Sequence, residues 1–148
     1  MLILKKQYTH FIKIINGSRS LALLFIRLVL AYGFLNPALM KLNNFNSIIE
    51  WFTQINLPLP VLNAFLATAS EVLGVILLTL GFGTRIISVP LIITMIVAIV
   101  KIHGENGFEA GNNGFEIPLY YMLMLFALMT HGAGKWSIDY LLVKSNKV

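Results

Sequence analysis

VLNAFLATASEVLGVILLTLGF, residues 61–82, holds one ionisable side chain, Glu71, in 22 residues. A helix of that length rises about 33 Å, enough to cross the roughly 30 Å hydrocarbon core of a bilayer. A stretch this long and this apolar reads as a transmembrane helix. Outward from it, LALLFIRLVLAYGFLNPALMKL (residues 21–42) gives a second span, with Arg27 inside it and Lys41 at its end. Residues 86–102 give a third, and residues 116–131 a shorter fourth.

The rest of the composition agrees. The chain has 148 residues, 57% of them hydrophobic and 11% charged, with a mean hydropathy of +0.81. A soluble domain of this size has too little interior to hide that much apolar side chain. The absence of cysteine excludes thiol redox chemistry, disulfides and Cys-ligated metals within the chain. His10, His103 and His131 do not form a metal site by spacing, so no metal is expected.

The net charge of +5 is not gathered into a nucleic-acid surface. Lys and Arg flank the apolar runs instead, which is an orientation signal. Lys5, Lys6, Lys13, Arg19, Arg85, Lys135, Lys144 and Lys147 fall on one side of a four-span arrangement, and Lys41 and Lys101 on the other. Both termini are therefore expected in the cytoplasm. No small-residue cleavage site follows the first run, so it is expected to remain as a span.

The expected fold is all-α: a membrane bundle of four antiparallel transmembrane helices, with a short interfacial helix between helices 1 and 2. Residues 1–20 form a basic cytoplasmic or interfacial segment, 21–142 the transmembrane domain and 143–148 a short basic tail. Ser47-Ile48-Ile49-Glu50 fits a capping box that would start the short helix carrying Trp51, Phe52 and Ile55. Between the last two spans lies a duplication, Asn106-Gly107-Phe108-Glu109 and Asn113-Gly114-Phe115-Glu116. Its glycines predict the most mobile loop of that face.

Charge within a span is costly and marks the first candidates, Arg27 and Glu71. Ser70 and Gly74 form a small-xxx-small pair beside Glu71, which turns that face toward a neighbouring helix. Depths counted from the span ends make Arg27 and Glu71 a candidate structural ion pair, although Arg27 near its helix end could also snorkel to the surface. Lys41, Lys101, His103 and Glu116 fall at the opposite rim, each taken singly a solvated residue, together a polar cluster at the mouth of the bundle. The candidate ligand-binding set is Arg27, Lys41, Glu71, His103 and Glu116.

Arg27, Gly33, Phe34, Lys41-Leu42, Glu71, Gly74, Gly81 and Thr84-Arg85 resemble the DoxX family of small bacterial membrane proteins. So do His103, Gly107-Phe108, Gly114 and Glu116 of the loop, and Gly134-Lys135-Trp136-Ser137-Ile138-Asp139 near the end. The chain departs from the family at Asn36-Pro37-Ala38, where the family often has a glycine. The resemblance covers about residues 21–142 and implies a four-helix fold in a bacterial cytoplasmic (inner) membrane.

It also implies redox company, since some relatives are linked to quinone-dependent oxidation of sulfur compounds and others to redox-defence proteins. Quinone is thus the candidate cofactor, no other being evident. The bilayer and a redox protein are the candidate partners, with oligomers open and no nucleic acid. Three functions follow: a quinone-linked subunit of a membrane oxidoreductase, a small transporter or permease component using Glu71, and a scaffold without chemistry.

Overall fold

The computed structural model describes residues 2–145, with side chains for all of these except residues 2–6, 10, 13 and 14. Lys147 of the expected tail lies outside the described residues, as do the side chains of Lys5, Lys6, His10 and Lys13. Among the described residues every regular element is helical. Three helices are long and apolar enough to cross a membrane, over residues 15–43, 60–80 and 84–106.

Helix α1 runs from Leu2 to Asn43 without a break at residue 20, the expected boundary. Gly17 is the obvious weak point there, but one glycine costs a helix only about 1 kcal/mol relative to alanine. Arg27, Ala31, Phe34, Ala38 and Lys41 recur at helical spacing and all are buried.

Helix α2, Phe45–Gln54, starts two residues before Ser47. The capping box therefore does not set its start. Asn44 stands at the cap position without a side-chain cap bond, and its backbone carbonyl accepts from the Ile48 N–H at 3.1 Å. Ile48 and Phe52 of α2 bury against Leu57 and Ala64.

Helix α3, Pro60–Leu80, opens with its proline at the position where the missing N–H is not needed. It ends at Gly81, φ +67°. Gly83, φ +58°, then leads into α4, Thr84–Ala98, which closes in a π-helical turn over Ile99–His103. Helix α5 occupies Glu116–His131, the limits the sequence predicts, and α6 covers Ile138–Ser145. At 16 residues α5 rises only about 24 Å.

Helix α1 packs along α3, α4 along α5, and α3 along α4. Leu30, Phe34, Leu78, Leu91, Leu125 and Leu128 interlock in one core. The residues turned outward, such as Phe25, Val29, Tyr32 and Ile86, are large and apolar. That pattern suits a lipid environment, where association rests on close packing instead of water exclusion. Gly74 provides it here: a Cβ there would lie 2.9 Å from Leu91 Cδ1.

The loop from His103 to Glu116 is more tied than its composition predicts. The Gly114, Phe115 and Glu116 amides donate to Glu109, Gly107 and Phe108 carbonyls, each at 3.0 Å. Glu116 accepts from the Ala110 amide at 3.0 Å and from the Tyr120 hydroxyl at 3.0 Å. Phe108 stacks edge-on against Phe115 and Tyr120. Hydrogen-exchange mass spectrometry is accordingly expected to show slow exchange at Phe115 and Glu116 and fast exchange at Gly111. Uniformly fast exchange across the loop would show that these bonds do not persist.

Candidate functional site

Two buried polar centres sit at different levels of the helix pair α1 and α3, one at the middle of α3 and one at its end. At the first, Lys41 and Glu71 meet. The Lys41 ammonium donates to both carboxylate oxygens, at 3.0 Å to Oε1 and 2.7 Å to Oε2. Both residues are buried, Lys41 at 9% exposure and Glu71 at 3%. A two-point contact in a low-dielectric setting satisfies both charges where a single partner removed would leave the other stranded.

The pairing expected between Arg27 and Glu71 is thereby corrected. Arg27 sits level with Gly81, where a Cβ would collide with its guanidinium. Gly81 is ten residues beyond Glu71, about 15 Å along the helix. Depths counted from the span ends set Leu21 level with Phe82, whereas Gly81 stands beside Arg27, six residues further along α1, so Arg27 belongs at the end of α3 and not at its middle. Nor does Arg27 snorkel: it is fully buried.

The Arg27 end is closed by the segment between α5 and α6. Arg27 Nη2 donates to the Trp136 carbonyl at 2.6 Å. Asp139 is the acidic residue whose field acts on Arg27. Its carboxylate also accepts from the Gly83 amide at 2.8 Å and the Thr84 amide at 3.1 Å. An anion there satisfies two free N–H groups at the start of α4 and complements its dipole. The Asp139 amide returns a bond to the Gly81 carbonyl at 3.0 Å. Ser137 caps α6, its hydroxyl accepting from the Tyr140 amide at 3.2 Å. The sequence signal for this closure is the Gly134–Asp139 segment, which the resemblance includes and in which nothing local marks Asp139 as a site residue.

At the Lys41 end lies a cavity of about 630 Å³, within the range of small-molecule and cofactor pockets. Lys41 and Glu71 are in its wall with Trp51, Phe52, His103 and Tyr121. The ring of Tyr121 packs edge-on against Phe34, centroids 5.5 Å apart, and occupies the space a side chain at Gly33 would need. His103 ends the π-helical turn. Its Nδ1 lies 2.8 Å from the Asn113 carbonyl oxygen. A carbonyl can only accept, so Nδ1 carries a hydrogen and Nε2 is the ring nitrogen left for other contacts.

Of the five candidate residues, three line this cavity: Lys41, Glu71 and His103. Arg27 belongs to the opposite end, and Glu116 braces the loop. Lys101 is exposed. Among the described residues no cluster of metal-ligating side chains occurs.

A helical chain with three membrane-capable helices and a buried ion pair in an apolar cavity defines a class of polytopic membrane proteins with an internal polar site. Within that class the chain belongs to the DoxX family, which residues 22–104 match. An uncharacterized protein of Haemophilus influenzae is 36% identical over 131 residues, 83% of this chain and 84% of that one. A Bacillus subtilis protein named "Putative oxidoreductase CatD" is 29% identical over 113 residues, 76% of this chain and 79% of that one. No solved structure matches.

Proposed function

We propose that the protein is a quinone-linked membrane subunit of a redox system, holding the quinone head in the cavity beside Lys41 and Glu71. The observation that carries this reading is an apolar cavity with a single buried ion pair in its wall. A planar head with carbonyl oxygens finds aromatic faces at Trp51, Phe52 and Tyr121, and a donor in the Lys41 ammonium, which has three N–H groups and gives two of them to Glu71. The name of the Bacillus subtilis relative points the same way. Electrons would pass through the quinone to a partner oxidoreductase, since no residue set here resembles a haem, flavin or iron–sulfur site.

In the proposed arrangement α5 is the fourth span, the four spans alternate in direction, and the Arg27 end faces the cytoplasm. A reporter fused after Val148 is then active only when it is a cytoplasmic reporter. A signal from a periplasmic reporter would remove α5 from the spans.

Quinone binding is tested in lipid nanodiscs by quenching of Trp51 fluorescence. A Trp136→Phe background leaves it as the sole indole, because the chain has two tryptophans. Saturable quenching is expected, with affinity weakened roughly 10- to 100-fold in the Lys41→Met, Glu71→Leu double variant, the scale of one hydrogen bond to a charged group. Quenching that is linear in quinone and indifferent to the double change would overturn the proposal.

A further inference from the structure

The geometry points to a portal between α3 and α4 through which the cavity takes its ligand sideways from the bilayer, and so to a ligand with a neutral polar head and a long apolar tail. This inference rests on the cavity being a binding site and deepens the reading given above.

Leu66 on α3 and Ile93 on α4 both line the cavity and are about half exposed, at 50% and 56%. The cavity wall at this seam is therefore also outer surface. Ser70 on α3 and Pro90 on α4, which also line the cavity, have small or short side chains. The seam is shut toward the Arg27 end, where Leu91 fills the space over Gly74. Toward the other end, Val97 and Ala67 pack under the α2 cluster of Ile48 and Phe52. What remains is a window of limited height.

Leu66 is six residues into α3, about 9 Å below its start, so the window opens into hydrocarbon and not into water. The seam between α1 and α5 also has exposed lining residues, Met40 and Ile117. It is crossed, however, by Tyr121, which reaches Gly33 and stacks on Phe34.

The charge state of the site specifies the head. Lys41 spends its ammonium on both oxygens of Glu71, so the two charges cancel. An anionic head such as a phosphate would find no surplus cation, and a cationic head no surplus carboxylate. A neutral head that exchanges hydrogen bonds with the pair adds no uncompensated charge to an apolar enclosure. Its tail leaves through the window and stays in lipid.

The test uses the full chain in vesicles containing a long-chain monoacylglycerol with a diazirine in its acyl chain, whose head is polar and neutral, with photolabelled residues read by mass spectrometry. Labels are expected on Ala67, Ser70 and Thr94 in the cavity as well as on lipid-facing Leu73 and Ile76. Leu66→Trp with Ile93→Trp is expected to abolish the interior labels while Leu73 and Ile76 keep theirs, which also shows that the variant is folded. The matched pair Met40→Trp with Ile117→Trp is expected to leave the interior labels in place. Unlabelled interior residues in the unaltered protein, or loss of interior label only with the second pair, would overturn the portal. A decyl-tailed benzoquinone is expected to displace the interior labels. If it does not, while the window variants still abolish them, the portal stands and the quinone reading falls.

Discussion

Replacing Lys41 with methionine is expected to destabilise the protein by about 3–5 kcal/mol, the cost of leaving one buried charge without its partner. Glu71→Leu leaves the ammonium stranded in its turn and is expected to cost a similar amount. The double change Lys41→Met, Glu71→Leu is expected to cost far less than the sum, because both charges disappear and apolar side chains of similar size fill the wall. Reversible unfolding in bicelles, run as a double-mutant cycle, measures the coupling. The same cycle on Arg27→Leu and Glu71→Leu is expected to be additive, since Arg27 sits at the level of Gly81, about 15 Å along α3. Additivity for Lys41 and Glu71 with coupling for Arg27 and Glu71 would reverse the assignment of the two ends.

Gly81→Ala is the second large effect. The residue has φ +67° and sits against the Arg27 guanidinium, with Ser137 Cβ 2.6 Å from where a methyl would stand. A non-glycine residue in the left-handed region costs about 1–2 kcal/mol by itself. The collision adds to this, because Arg27 is fully buried and held by the Trp136 carbonyl, so it has nowhere to retreat. A total above about 3 kcal/mol is expected, in the range reserved for named disruptions of a packed site. Gly83→Ala is the control. Its φ is +58°, but nothing stands within 4 Å of the added carbon. It should show only the conformational cost of about 1–2 kcal/mol. Equal effects at the two positions would mean that the Arg27 contact contributes nothing.

Much of the helix pattern is legible in the sequence because apolar length is a local property. Residues 61–82 and 116–131 can be read as helices without knowing what they touch, and the α5 limits come out at Glu116 and His131. The buried stripe from Arg27 to Lys41 follows from helical spacing in the same way. Partner choice is not local. Lys41 is two residues from the end of α1, which reads as a rim position. It is buried nonetheless, because α3 supplies Glu71 at the same level and Trp51 and Phe52 of α2 join the same cavity wall. How far one helix end stands above another cannot be counted from either helix alone, and that offset decided between Arg27 and Lys41 as the partner of Glu71. Asp139 was missed for a related reason. Its task is to satisfy the start of a helix more than fifty positions earlier, which no short-range motif encodes.

The two-point contact of Lys41 with Glu71 has an electrical consequence. A single charge displaced across a membrane gains or loses about 2.3 kcal/mol per 100 mV of transmembrane potential. The pair carries none in sum, so if α1 and α3 shift together as a ligand enters, the field does almost no work on them. A neutral ligand of the kind proposed would then bind to the same extent in a fully energised and in a depolarised cell.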